Sequence, residues 1–376
     1  MYIVGAGRTK FGKLPKSLIE LTYEAMFNAI EDSPLDIKDI DAIYVSNFLG
    51  GPLNGQLHFN SIIASLLPSL NIPIIHIETA CASSSVALNQ ALNSLKNTPN
   101  IMIIGVEKMT GTELMSPVDA IAMAGDHEND YEQGLIFPAA YALIAQQYMR
   151  KFGISHDVLE QVSYINHKNA NRNPLAHFYH KEVTLEMIKK SQMIASPLNL
   201  FDCSPLSDGA AAIVISNKKH DDRDIRILSS QIATDTISLT QRADMTSFLA
   251  TKIAAAKAYK EAGITPENVD VVEVHDCFTI SELLALEDLG FCKPGDSSKM
   301  IMDGDILIDG NFPVNMDGGL KANGHPIGAT GLAQIYEIVT QLRLEAGSRQ
   351  VDNPEIGLMQ SIGGIGGTCG ITLLGR

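Results

Sequence analysis

Basic residues are in short supply. The 376-residue chain has 28 Lys and Arg against 43 Asp and Glu, a formal charge of −15. That balance argues against nucleic acid or an anionic membrane surface as a partner, although a local basic patch for a small anionic ligand stays open. Cysteine is scarce as well. Cys81, Cys203, Cys277, Cys292 and Cys369 are odd in number and never in CxxC spacing. This excludes a disulfide framework and a sequence-spaced zinc site, and points to a reducing compartment. There is no long uninterrupted apolar run and no signal or transit character at the N-terminus, so a soluble cytoplasmic protein is expected. Short-period repeats and low-complexity tracts are missing too. Tryptophan is absent, which excludes nothing.

What is present is a globular composition, 45% hydrophobic and 19% charged, with 30 glycines. The length calls for two domains or one large duplicated one. Strand-like and helix-like segments alternate: "MYIVGAG", "SLIELTYEAMFNAIED", "IDAIYVSNF", "NSIIASLLPSL", "IPIIHIETA", "SSSVALNQALNSLKN" and "IMIIGVEKM". This order predicts α/β layers. Residues 111–199 break the rhythm and read as an insertion, acidic at first (Asp119, Asp126, Glu128, Asp130, Glu132). From Arg150 to Lys190 it turns basic, with seven Lys/Arg against four Asp/Glu. The alternation then resumes through "DGAAAIVIS", "FLATKIAAAKAYKEAG", "VDVVEVHDCF", "GLAQIYEIVTQLRLEAG" and the final pair "IGLMQSIGG" and "GTCGITLLG". A long-range echo links "IPIIHIETACASSSVALNQALNSL" with "PVNMDGGLKANGHPIGATGLAQIYEIVTQL": each runs from an extended segment through a turn into a helix that begins with small residues. Such helices can pack at close range, which suggests duplicated halves.

Four places could carry chemistry. Cys81, in "ETACASSSVAL", sits at a strand-to-helix turn, where free N–H groups and the helix dipole are expected to favour the thiolate. The alternative is a buried structural cysteine. His325, in "GGLKANGHPIGATG", lies among glycines whose spacing fits neither a P-loop nor a dinucleotide fingerprint. It is either a proton acceptor and donor or a loop fastener. "SIGGIGGTCG" (Ser361–Gly370) could aim backbone N–H groups at one point, or be only a β-turn. Finally, His275 and Cys277 share one face of an extended strand end, with Asp276 on the other. A metal pair there lacks a third ligand at suitable spacing. Cys277 could instead serve as an acid/base, or be a small buried hydrophobe.

Together, "CASSS", "GHPIGATG" and the glycine-rich C-terminal bend resemble the active-site loops of the thiolase family, over essentially the whole chain. "HDCF", "NHKNANRNPLAHF", "FPAAYALIAQQYM" and "LFDCSPLSDGAAAIVIS" resemble its sterol-carrier-protein-type subgroup. The resemblance implies a duplicated thiolase fold, a five-layer αβαβα architecture with an inserted loop domain. The halves would be 1–110 plus 200–222 and 223–376, with the loop domain at 111–199. The implied activity is acyl-CoA C-acyltransfer, joining or cleaving 3-ketoacyl-CoA through an acyl-cysteine, with CoA thioesters as substrates and no tightly bound cofactor or metal. Cys81 would be the nucleophile and His325 its base. His275 would hold an oxyanion-hole water, and Cys277 would take the α-proton. The N–H groups of Cys81 and Gly363 would form the second oxyanion hole. Lys168 and Arg172 would meet the CoA phosphates. Asp276 and Phe278 would have supporting roles. A homodimer or tetramer is implied, with a larger complex of CoA enzymes as an extension. One departure stands out: where many thiolases begin the C-terminal bend with a catalytic cysteine, this chain has Ser361. That motivates the rival expectation of a non-catalytic acyl-CoA- or lipid-binding subunit.

Overall fold

The computed structural model describes residues 1–376. Its strands are β1 (Tyr2–Arg8), β2 (Ala42–Ser46), β3 (Ile74–Ile77), β4 (Asn100–Glu107), β5 (Met193–Ala195), β6 (Leu198–Asn199), β7 (Gly209–Ser216), β8 (Ile225–Thr234), β9 (Val271–Glu273), β10 (Ile356–Gly363) and β11 (Thr368–Gly375). The α-helices are α1 (Leu18–Glu31), α2 (Gly50–Asn54), α3 (Phe59–Leu66), α4 (Ser83–Ser94), α5 (Pro117–Ala122), α6 (Phe137–Phe152), α7 (Asp157–Ala170), α8 (Leu185–Lys189), α9 (Leu249–Ala262), α10 (Thr279–Asp288), α11 (Ser297–Asp303) and α12 (Thr330–Leu342). Local signals set several boundaries. Ser17 and Glu20 form a capping box at the start of α1, satisfying N–H groups that the first turn leaves free. Helices α6 and α9 stop at Gly153 and Gly263, with φ of 68° and 70°, a conformation glycine adopts without a Cβ penalty.

Nine strands hydrogen-bond in the order β3-β2-β4-β7-β1-β8-β11-β10-β9. The two halves meet where β1 and β8 pair over only Tyr2–Arg226 and Ile3–Ile225. Between them, α4 and α12 pack against each other and against strands of both halves. A core of 26 buried residues surrounds them, including Ala87, Leu88, Leu332, Ile335, Ile103, Ile213 and Met359. Helices α1 and α3 cover the outer face of the first half. Helices α9 and α10 cover the other outer face, within a cluster of 41 residues. The layers therefore run αβαβα. Because both faces are covered, β4 and β7 are almost wholly buried, hence their continuous apolar runs.

The central helices approach closely because their first turns are small. A Cβ on Gly331 would stand 3.0 Å from Ser84 Cβ and from Ser85 Oγ. β4 and β7 are direct neighbours, so the segment between them, including the separate β5–β6 hairpin, is a single excursion from the sheet. One expected strand is shorter than its sequence suggests. In "VDVVEVHDCF" only Val271–Glu273 forms a strand, and Phe278 adds one isolated bridge to Cys203. From Val274 on, side chains replace the ladder: Val274 N donates to Asn315 Oδ1 at 2.9 Å and His275 N to Gln360 Oε1 at 2.8 Å. The HDCF stretch is thereby released from the sheet and turned toward the middle layer.

Candidate active site

Cys81 precedes α4 in a tight turn. Ala80 just before it has φ of 52°, an uncommon conformation for a residue with a Cβ. The turn is held by Ser83, whose Oγ donates to Ala80 O at 2.5 Å and accepts from Thr79 N at 2.9 Å. Ser361 Oγ donates to Cys81 O at 3.0 Å. Ser361 is thus a buried tie on the backbone of Cys81. His325 enters from the equivalent turn before α12. Its Nδ1 lies 2.7 Å from Thr330 Oγ1, and that hydroxyl donates its single proton to Pro326 O at 3.0 Å. The hydroxyl must therefore accept from Nδ1–H, which leaves the Nε2 lone pair free.

The donor atoms of Cys81, His275 and His325 all lie within 4.8 Å of one another, and all three side chains are buried. The two imidazoles stand edge to face, with centroids 5.1 Å apart. Both ring nitrogens of His275 lack a protein partner, so they are available to a water or a substrate oxygen. The three donors are also a set that could hold a soft metal ion. The sequence spacing around Cys277 had no third ligand; the fold supplies a different trio, drawn from three loops.

A cavity of about 190 Å³ opens on this centre. Cys81, Cys277, Phe278, His325 and Gly364 meet in its wall with Val118, Ile121, Phe137 and Pro138 from the 111–199 segment and with Cys203 and Leu206. Cys81, His275, Cys277 and His325 are therefore brought together. Gly363 lies one residue behind the wall, at the end of β10, where a Cβ would come within 2.6 Å of Thr79 O. The N–H of Gly364 faces the Cys81 thiol. Sequence reasoning passed over Gly364, Thr330 and the Cys203–Leu206 wall; the run "SIGGIGG" was the only signal for the first. Lys168 and Arg172 are exposed at the end of α7. The Lys168 ammonium sits 5.6 Å from the Tyr164 ring, and neither residue lines the cavity.

Charge states depart from the expectation of a thiolate at a helix start. Burial pushes the Cys81 thiol up, and Cys277 nearby pushes it further. The first helical residue is Ser83, so Cys81 sits outside the first turn, and desolvation outweighs the dipole. Burial also raises Cys277 to about 12 and lowers His325 to about 3. His275 is held well below its ordinary value, first by burial and then by His325. Burial thus disfavours the charged form of each of the four groups.

Fold and site together define an α/β protein of two like halves, with a cysteine–histidine centre at their shared helix layer. The family models for the thiolase N-terminal domain and the thiolase C-terminal domain-like region match residues 1–219 and 232–376, and the chain belongs to the thiolase family. It is 44% identical to an acetyl-CoA acetyltransferase of Methanothermobacter thermautotrophicus, over 100% of this chain and 99% of that one. Human sterol carrier protein 2 is 31% identical, over 99% of this chain and 71% of its own length. Among solved structures, the Ltp2-ChsH2(DUF35) aldolase superposes with a TM-score of 0.86 at 23% identity, covering 100% of this chain and 97% of that one. No helix here is long and apolar enough to cross a membrane.

Proposed function

We propose that the protein is an acyl-CoA C-acyltransferase of the sterol-carrier-protein-type subgroup, joining or cleaving 3-ketoacyl-CoA through an acyl-cysteine. The observation that carries this is the meeting of Cys81, His275 and His325 donor atoms within 4.8 Å at an apolar cavity. Relatives named acetyl-CoA acetyltransferase add support. His325 Nε2 takes the Cys81 proton as the thiolate attacks a thioester carbonyl, and CoA leaves with the proton of Cys277, which is left as a thiolate. Because burial disfavours the charged form of both groups, the transfer belongs to the chemical step. The acyl oxygen then faces backbone N–H groups at Cys81 and the Gly363–Gly364 bend. A second acyl-CoA places its thioester oxygen toward His325 and a water held by His275. Cys277 takes its α-proton, and the carbanion attacks the Cys81 acyl group. A cavity of about 190 Å³ suits the acyl end of the substrate, which leaves the nucleotide outside; we assign its phosphates to the exposed Lys168 and Arg172.

The test is thiolysis of acetoacetyl-CoA. Cys81→Ala should lose at least about 10³-fold in rate, the scale of a removed nucleophile. Retained thiolysis would defeat the proposal. The solved relative named as an Ltp2-ChsH2(DUF35) aldolase supports a second element: this chain as one subunit of a larger complex with a ChsH2-type partner, built on a homodimer or tetramer.

A further inference from the structure

Cys81, His275 and His325 come from three separate loops, yet the sulfur and one nitrogen of each ring lie within 4.8 Å of one another. Three points that close share a centre no more than about 2.8 Å from each of them. A zinc ion bonds thiolate sulfur at about 2.3 Å and imidazole nitrogen at about 2.0–2.1 Å. Closing the trio on an ion therefore takes an inward shift of at most about 0.8 Å per donor, within reach of small side-chain rotations. This is the only group of three His, Cys, Asp or Glu donors in the chain that meets so closely.

The donors are also prepared to bind. The three residues are 6%, 0% and 8% exposed, so bulk water competes poorly for them. His325 Nδ1–H is committed to Thr330 Oγ1, whose own proton goes to Pro326 O. The lone pair on Nε2 stays available. His275 has no protein partner at either ring nitrogen, and its backbone is fixed by the bond from its N–H to Gln360 Oε1. A buried imidazole with nothing to bond calls for an explanation, and a ligand at this point gives one.

Two features set the character of such a site. Cys277 shares the cavity wall with Cys81 and His325 but falls outside the trio, so the fourth position of a tetrahedral ion opens to the cavity. The Thr330 hydroxyl orients His325, whereas the second nitrogen of His275 has no such partner, and histidines that lack one hold metal less tightly. The ion is therefore held reversibly. One thiolate and two neutral imidazoles leave a divalent cation with a net positive charge, which hydroxide or a thiolate entering from the cavity balances.

We propose that Cys81, His275 and His325 form a reversible inhibitory site for a borderline-soft divalent cation, zinc above all. As the S–Zn bond forms, the thiol S–H bond breaks and its proton passes to solvent; no electron changes hands. Sulfur bonded to zinc cannot attack a thioester, and an acyl group on that sulfur removes the ligand, so metal and acyl-enzyme exclude each other. The inhibition rests on the proposed role of Cys81 as nucleophile; the metal site itself does not.

The test is titration of the resting full chain with Co²⁺, a visible substitute for zinc. One equivalent should give the near-ultraviolet charge-transfer band of a cobalt–thiolate bond and the strong visible bands of a four-coordinate ion, and zinc should bleach both. Cys81→Ser should abolish the charge-transfer band. Thr330→Val, which swaps the hydroxyl that holds His325 for a methyl, should weaken binding about 10–100-fold. A further check needs no variant: zinc should stop alkylation of Cys81 by iodoacetamide while Cys203 and Cys292 keep their own rates, read by peptide mass spectrometry. Thiolysis should be lost on adding zinc and return with a chelator. A wild-type chain without the thiolate band, a band that persists in Cys81→Ser, or Cys81 alkylation that zinc leaves unchanged would overturn the site. Full thiolysis by the zinc-loaded chain would overturn the inhibition. An inactive chain that binds cobalt through Cys81 defeats the acyltransferase reading alone, whereas an active chain without the band defeats the metal site alone.

Discussion

Beneath Cys81 the chain is tied by neutral hydroxyls, whereas beneath the His275–Phe278 loop it is tied by buried carboxylates. On the first side, Ser84 and Ser46 both donate to Gly328 O, at 2.5 and 2.6 Å, and Ser361 and Ser83 fasten the cysteine turn. On the second, Asp276 accepts from Leu320 N at 2.6 Å and Asn166 Nδ2 at 2.9 Å, while Glu282 Oε2 accepts from Asn166 and Asn315 at 2.8 and 2.9 Å. Behind them, Glu273, Asp317 and Glu337 are buried together with Arg8 and Arg349. Hydroxyl ties are the same at every working pH. Carboxylate ties change with protonation, and burial raises Asp276 to about 7 and Glu282 to about 8. The half that supplies Cys81 therefore rests mainly on pH-indifferent hydroxyls, with Glu107, which accepts from Gly328 N and is raised by burial to about 7, as a titrating exception, and the half that supplies the histidines has a titrating floor.

The comparison breaks most violently at Arg349. Its guanidinium grips Glu337 with two nitrogens, at 2.9 and 3.1 Å, deep behind α12. Arg349→Met leaves that carboxylate buried without its paired cation and should cost about 3–5 kcal/mol in urea unfolding. Replacing both partners by apolar residues should cost far less, because the stranded charge goes too. A loss below about 1 kcal/mol in the single variant would mean that the acidic floor does not depend on its cations.

The hydroxyl side was largely legible in the sequence, and the acidic side was not. "CASSS" and "GHPIGATG" are short contiguous runs, so the two turns, the close helix contact and the meeting of Cys81 with His325 could be expected from them. The paired strands at the C-terminus and the α/β alternation were equally local. Glu273, Glu282, Asp317 and Glu337 are scattered in sequence and become neighbours only when β9, α10 and α12 pack, so no motif announces them. The thiolate expected at Cys81 failed because a dipole argument needs only local sequence, whereas desolvation depends on every wall of the cavity.

Breaking the hydroxyl side should be milder. Gly331→Ala puts a Cβ 3.0 Å from Ser84 Cβ and Ser85 Oγ, where rigid first turns leave little room to yield. Overpacking costs about 1–3 kcal/mol, and alanine's better helix propensity returns up to about 1. The net loss, read from denaturation midpoints, should be the same at pH 5 and pH 8. A pH-dependent loss would show that the two floors are not separable.

The finest discrimination comes from Glu282→Gln. Only one carboxylate oxygen of Glu282 is bonded; Oε1 has no partner. That suits a protonated acid, and burial followed by Asp276 raises it from an ordinary 4.5 to about 8. With the folded value above the unfolded one, its contribution is complete below about pH 4.5 and is lost as pH climbs through 8. Glutamine keeps one acceptor for Asn166 and Asn315 and cannot ionise, so it mimics the protonated state at all pH. The variant should be near wild type at pH 5 and more stable than it at pH 8, by at least about 1 kcal/mol. Asp276 should also titrate lower once its neighbour carries no charge. If wild type and variant lose stability in parallel between pH 5 and 8, then Glu282 is already ionised in the folded chain, and the titrating floor must be sought in Glu273 and Asp317, which burial also raises.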